Sequence, residues 1–324
     1  MPDPRWRDLA GPVGVLPTGP GNRITDVPGV LVGHCQAESG EKSGVTIVAP
    51  PDLPAPAAVT TVNGVGELTG NLEINERGVM ETAVHLCGSH AIGTVLQAAI
   101  LASGRGPENI VLPVVGECDD GEMADSRKIT ADDVERAREG LGTEFAEGTV
   151  GAGTGMTCFD FPGGIGTASR RVGGHTVGVL LLCNFGDREY LDLLGHRLDP
   201  AERKADSHGS CIAVCATDAP LSVSQLRRLS LRPQLGLARA GSYGGEGSGE
   251  IGIAFSVAAP EGVANNDLNP YLAAAWEAGH EAVYNCLVAA RPSTRRDGTM
   301  QDAFPVDLVR RLAAERTGAA LGDS

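Results

Sequence analysis

The chain reads as an α/β protein. Short apolar runs rich in β-branched and small residues recur from Val30 to Ala258, and stretches with helix-start signals fall between them. Composition agrees: 45 glycines against 4% aromatic residues suit close packing of strands on helices, joined by many turns. At 324 residues the chain can form one large or two ordinary domains, either with a sizeable core.

Taken in order, residues 1–22 are rich in Pro and Gly and read as an irregular arm. Three strands are expected at Val30–His34, Val45–Ala49 and Ala58–Asn63. The Gly-rich stretch Asn63-Gly-Val-Gly-Glu-Leu-Thr-Gly70 then leads toward a helix at Ala91–Ser103, without the lysine or glycine spacing of a nucleotide cradle. Ile110–Val115 reads as a buried strand running into Glu117-Cys-Asp-Asp-Gly-Glu122. Four carboxylates in six residues at a strand end can hold an ammonium group or a hard cation, or simply face water in a turn.

Thr130 with Asp133 resembles a capping box and opens a helix to about Glu139. The glycines of Gly148–Met156 and Phe161–Arg170 imply backbone against backbone, or backbone amides against a ligand. His175–Cys183 is a strand ending in Asn184-Phe-Gly186, and residues 187–207 form a charged loop suited to cleavage. Ser222 and Gln225 cap a basic helix toward Arg239, kinked or broken at Pro233. Gly241–Glu250 reads as a flexible loop, Ile251–Ala258 as a strand, Pro270–Ala290 as a long helix and Asp307–Arg316 as a last short one.

The chemistry concentrates at Asp206-Ser-His-Gly-Ser-Cys-Ile-Ala-Val-Cys-Ala-Thr-Asp218. A polar run stops at Gly209-Ser210, and a buried strand follows at once. Were the Gly209–Ser210 bond cut, Ser210 would carry both a hydroxyl and a free α-amine. That amine has a reference pKa near ~8 and can act as general base for its own hydroxyl. An ordinary turn before a strand explains the same residues.

The net charge of −15 argues against nucleic acid and anionic membrane as partners and fits, weakly, a cationic ligand. Most of the eight cysteines sit in apolar runs, so buried reduced thiols are expected rather than a disulfide framework. Cys211 and Cys215 share a strand without the close Cys/His grouping that zinc needs; no metal and no cofactor are expected. The N-terminus lacks an apolar signal core and Val177–Cys183 is too short to span a bilayer, so the expected location is cytoplasmic.

From Arg23 to about residue 290 the chain resembles the family of L-aminopeptidase/D-esterases and β-peptidyl aminopeptidases, often called the DmpA family. The resemblance rests on Arg23–Gly29, Asn63–Gly70, Gly151–Met156, Gly163–Arg170, Gly209-Ser210 leading into Ala216–Leu221, Gln225–Arg228 and Ser248–Ser256, all in order. It implies a four-layered αββα sandwich of the N-terminal-nucleophile kind, formed here by a single domain over residues 1–324. It also implies a precursor that cuts itself between Gly209 and Ser210 into chains 1–209 and 210–324 and assembles into homo-oligomers. By the resemblance, Ser210 is the nucleophile, and Ser248 and Glu250 sit beside it and its amine. Asn184 serves the oxyanion, and Glu117 receives the substrate's free amino group.

The chain departs from the family pattern near the chemistry. Asp119 stands where a functional Tyr is expected, Cys87-Gly-Ser-His90 replaces a Thr-Asn-Thr-His run, and Pro162 replaces a Lys. Two functions follow: a self-processing serine aminopeptidase or amidase for short peptides and amino-acid amides or esters, or a catalytically weak relative repurposed for binding or for non-peptide amides. If Asp119 faced the oxyanion it would have to be protonated, its pKa raised by burial; otherwise it would turn toward a cationic substrate group.

Overall fold

A computed structural model of the chain describes residues 4–201 and 209–322. The strands in chain order are β1 (Leu31–Gln36), β2 (Gly44–Ala49), β3 (Ala55–Gly64), β4 (Val79–Met80), β5 (Val84–Gly88) and β6 (Val114–Cys118). A short pair, β7 (Thr157–Cys158) and β8 (Phe161–Pro162), precedes β9 (Gly164–Val172), β10 (His175–Asn184), β11 (Ser210–Thr217) and β12 (Gly249–Ser256); β13 (Ser293–Thr294) and β14 (Met300–Gln301) form a last short pair. The helices are α1 (Trp6–Ala10), α2 (Asn71–Arg77), α3 (Ile92–Ala102), α4 (Ala131–Glu139), α5 (Val223–Ser230), α6 (Arg232–Ala240), α7 (Asn269–Ala289) and α8 (Val306–Gly322).

Two sheets carry the architecture, one of order β1-β2-β5-β6 and one of order β4-β3-β12-β11-β10-β9. Strand alternation decides which residues go where. In β11, Ile212, Val214 and Ala216 enter the core between the sheets, where they meet Val48, Leu86 and Val114. Cys211, Ala213 and Cys215, one residue out of phase, face the helix side with Leu226, Leu237 and Ala282. A third apolar cluster joins α3 and α4 to the outer face of the smaller sheet through Val45, Ile47, Val95 and Val134. The layers are thus helix, sheet, sheet, helix, the expected αββα sandwich.

The capping boxes at Thr130/Asp133 and Ser222/Gln225 form as read, and Pro233 starts α6 rather than kinking one long helix. Other readings shift. The strand expected at 110–115 begins at Val114 instead: Ile110 is 80% exposed, and Pro113, lacking an N–H, precedes the ladder. Glu117 therefore lies inside a strand, not in the turn after one. Likewise β12 starts at Gly249, placing Glu250 in the sheet rather than in the flexible loop.

Gly164–Val172, read as a glycine run, is a nine-residue strand. Its Gly166 lets α7 press on the sheet, since a Cβ there would lie 2.0 Å from the Ala282 carbonyl oxygen. Packing, not ligand binding, accounts for that glycine. The arm at 1–22 contains α1, whose Trp6 is buried and stacks on Tyr284 with ring centroids 4.1 Å apart. Arg170, wholly buried, ties the arm down: it pairs with Glu277 at 2.9 Å and Glu281 at 2.7 Å and donates to the Val13 carbonyl.

All eight cysteines are free and seven are buried, as expected. Among the described residues no helix is long and apolar enough to cross a membrane.

Candidate active site

Ser210 opens β11, flanked by Asn184 of β10 in antiparallel register and by Gly249 of β12 in parallel register. Both neighbours belong to the rows that continue into the inter-sheet core, so Ser210 and Asn184 share a face. Ser210 is 5% exposed, and the backbone N–H of Gly249 donates to its Oγ at 3.2 Å. A glycine is needed at 209 because a Cβ there would lie 2.7 Å from the Asn184 carbonyl oxygen. The preceding Asp206, Ser207 and His208, and the end of the loop read as a cleavage site, lie outside the described residues.

The segment after β3 bridges the ends of the two sheets. Val65 N–H donates to the Ser248 carbonyl, while Glu117 and Thr69 bond the backbone of Glu67 and Val115. This bridge brings Glu117 to the serine. The Glu67 N–H donates to Glu117 Oε1 at 2.8 Å and the Ser89 hydroxyl donates to Oε2. Glu117, Ser89, Gly66 and Ser210 line one cavity of about 500 Å³.

A second cavity, of about 660 Å³, lies at Gly209 and takes in Asn184, Ser248 and Glu250. The Ser248 hydroxyl donates to Glu250 Oε1, and Oε2 is buried with no hydrogen-bond partner among the described residues. Burial pushes the Glu250 carboxyl above its ordinary pKa, against the pull of the Ser248 hydroxyl. Asn184 is held at both ends of its amide: Oδ1 accepts from the Thr157 N–H, and Nδ2 donates to the Asp119 carbonyl, both at 2.8 Å. One Nδ2 hydrogen is left for another acceptor. The wall is acidic, with Asp119, Asp187, Glu246 and Asp297 set against Arg296.

Asp119 borders both cavities. It is exposed, and its Oδ1 accepts from the Gly121 N–H at 2.9 Å. The reading of Asp119 as a buried group facing the oxyanion is corrected by this exposure. Asp120 next to it is the buried one, its pKa raised by desolvation and opposed by a 2.6 Å bond from the Ser43 hydroxyl. The Cys211 thiol beside Ser210 is also pushed up by burial and stays protonated at neutral pH.

All the residues expected from the sequence thus meet at one end of the sandwich, on the two sides of the Gly209–Ser210 bond. Sequence reasoning missed Ser89, Gly66, Glu67 and the Gly249 amide. Ser89 sat in a recognised departure from the family pattern, but nothing local says that its hydroxyl meets Glu117. Among the described residues no three His, Cys, Asp or Glu side chains form a metal-binding group.

Solved structures share this architecture. A β-aminopeptidase from Burkholderia sp. superposes with a TM-score of 0.86 at 35% identity, covering 96% of this chain and 99% of its own. The L-aminopeptidase D-Ala-esterase/amidase of Ochrobactrum anthropi, described as a variant of the Ntn hydrolase fold, gives 0.86 at 34% identity over 97% of this chain and 99% of its own. The fold is accordingly of the N-terminal-nucleophile hydrolase kind. In sequence, the chain is 36% identical to a β-peptidyl aminopeptidase of Sphingosinicella microcystinivorans over 97% of this chain and 94% of the relative. Residues 22–301 match peptidase family S58, and the chain belongs to that family.

Proposed function

We propose that the protein is a self-processing serine aminopeptidase acting on short peptides and amino-acid amides or esters. The observation that supports this best is the pairing of Ser210 with Glu117: a hydroxyl at the head of a central strand shares a cavity with a carboxylate fixed by two donors. A nucleophile beside an anion selects substrates with a free ammonium group near the bond to be cut.

In the processing step Ser210 Oγ attacks the Gly209 carbonyl, the peptide nitrogen leaves as an amine, and water hydrolyses the resulting ester. The products are chains 1–209, ending in a carboxylate, and 210–324, beginning with Ser210, which stay together as one domain. The freed α-amine then takes the Ser210 hydroxyl proton when a substrate carbonyl is attacked and returns it to the leaving group. The remaining Asn184 Nδ2 hydrogen, with backbone amides, stabilises the oxyanion. Ser248 and Glu250 hold the proton balance beside the amine. Asp119, facing open solvent at the junction of the cavities, favours a cationic group on the substrate. By family resemblance the protein assembles into a homo-oligomer of processed units, which light scattering on the purified protein checks.

The test is a denaturing gel with N-terminal sequencing. Two bands are expected, the smaller beginning Ser-Cys-Ile-Ala-Val. A fully active protein that stays one band would sink the mechanism.

A further inference from the structure

A methyl group placed on Gly66 would lie 3.4 Å from Glu117 Oε1 and 3.7 Å from Ser210 Oγ. One methyl-sized space therefore touches both the carboxylate and the hydroxyl. The Gly249 Cα also lies 3.4 Å from that position, so a methyl would fit there at ordinary contact distance without displacing its neighbours. On the other side, Glu117 cannot drift, because the Glu67 N–H holds one oxygen and the Ser89 hydroxyl the other.

We propose that Gly66 and Ser89 set the amine-to-carbonyl spacing that the site accepts, and so decide between α- and β-aminoacyl substrates. The inference rests on the proposed roles of Ser210 and Glu117 and goes beyond them. A substrate whose ammonium sits on Glu117 and whose carbonyl carbon sits at Ser210 Oγ must pass its connecting atoms through the space beside Gly66. An α-amino acid passes one carbon, a β-amino acid two. Gly66 supplies the room for the second, and Ser89 is a positioning residue that keeps the carboxylate end of the ruler fixed.

The experiment compares Gly66→Ala, Ser89→Ala and Ser89→Thr with the wild-type chain, using the p-nitroanilides of L-alanine, β-alanine and N-acetyl-L-alanine. In Gly66→Ala the added methyl meets only ordinary van der Waals distances, so the melting temperature should hold while β-alanine turnover falls about tenfold relative to L-alanine, the usual discrimination for one methylene. Ser89→Ala should raise KM more than it lowers kcat and bring the α-to-β ratio toward one, and Ser89→Thr should restore both. Ser89 does not adjoin the bond being cut, so its variants keep the test open if Gly66→Ala does not process. An unchanged ratio in either alanine variant, with the free-amine requirement intact, removes that residue from the assignment. Wild-type protein that cleaves the N-acetyl compound as readily as the free amine overturns this inference together with the role of Glu117.

Discussion

Two buried carboxylates stand on opposite sides of the Gly209–Ser210 bond, and they are built differently. Glu117 has a donor on each oxygen, one a backbone amide. Glu250 has a hydroxyl on one oxygen and, among the described residues, no hydrogen-bond partner on the other, and burial raises its pKa. Donors on both sides hold the carboxylate in place and leave lone pairs to meet a cation. An incompletely solvated carboxyl suits a group that gains and loses a proton. In the proposed mechanism the same functional group then binds in one cavity and handles the proton in the other.

The largest effect should come from the residue the two sides share. Ser210→Ala should leave one band on a denaturing gel and lower turnover by on the order of 10³-fold or more, since in the proposed mechanism one hydroxyl serves processing and hydrolysis alike. Next, Glu117→Gln keeps the shape and removes the charge. Hydrolysis of alanine p-nitroanilide should fall about tenfold or more while the slow reaction of the N-acetyl form stays level. Equal losses on both compounds would erase the distinction between the carboxylates.

Glu250 should answer to pH instead. Its native pKa lies above its unfolded one, so its contribution to stability is complete below the unfolded value and is lost as pH rises through the native value. Glu250→Gln, which resembles the protonated form, should flatten that loss in melting curves taken from about pH 4 to 8; an unchanged slope would contradict the assignment. The smallest effect is expected at exposed Asp119. Asp119→Tyr should lower turnover of lysine amide by a few-fold and leave alanine amide near its original rate, as fits a solvent-screened charge pair. A gain on alanine amide would mean that the aspartate is a handicap.

Much of this was legible in the residues. Ser210 stood out because a polar run stops at Gly209 and a β-branched run follows, which is the local signature of a loop entering a sheet. The helix caps at Thr130 and Ser222 were equally local. What escaped was whatever depends on distant partners. Glu117 and Glu250 read as turn and loop residues because carboxylates are rare in strands; only the bridge at Val65–Thr69 and the β11–β12 ladder explain their places. Arg170 looked like the end of a glycine motif, yet its charge is matched by α7, more than a hundred residues on. The strand expected from Ile110 shows the converse: its apolar start is exposed, and pairing begins only at Val114.

The strand order has a mechanical consequence. In the larger sheet β12 and β11 lie between β3 and β10, so a cut before Ser210 leaves the two central strands on the C-terminal piece and their outer neighbours on the N-terminal one. The pieces would be dovetailed: withdrawing one means unzipping two ladders at once in the middle of a buried sheet. The severed protein should therefore behave as a single body. Its activity should not fall on dilution, its fragments should not exchange with those of another molecule, and its melting should remain one transition despite the broken chain.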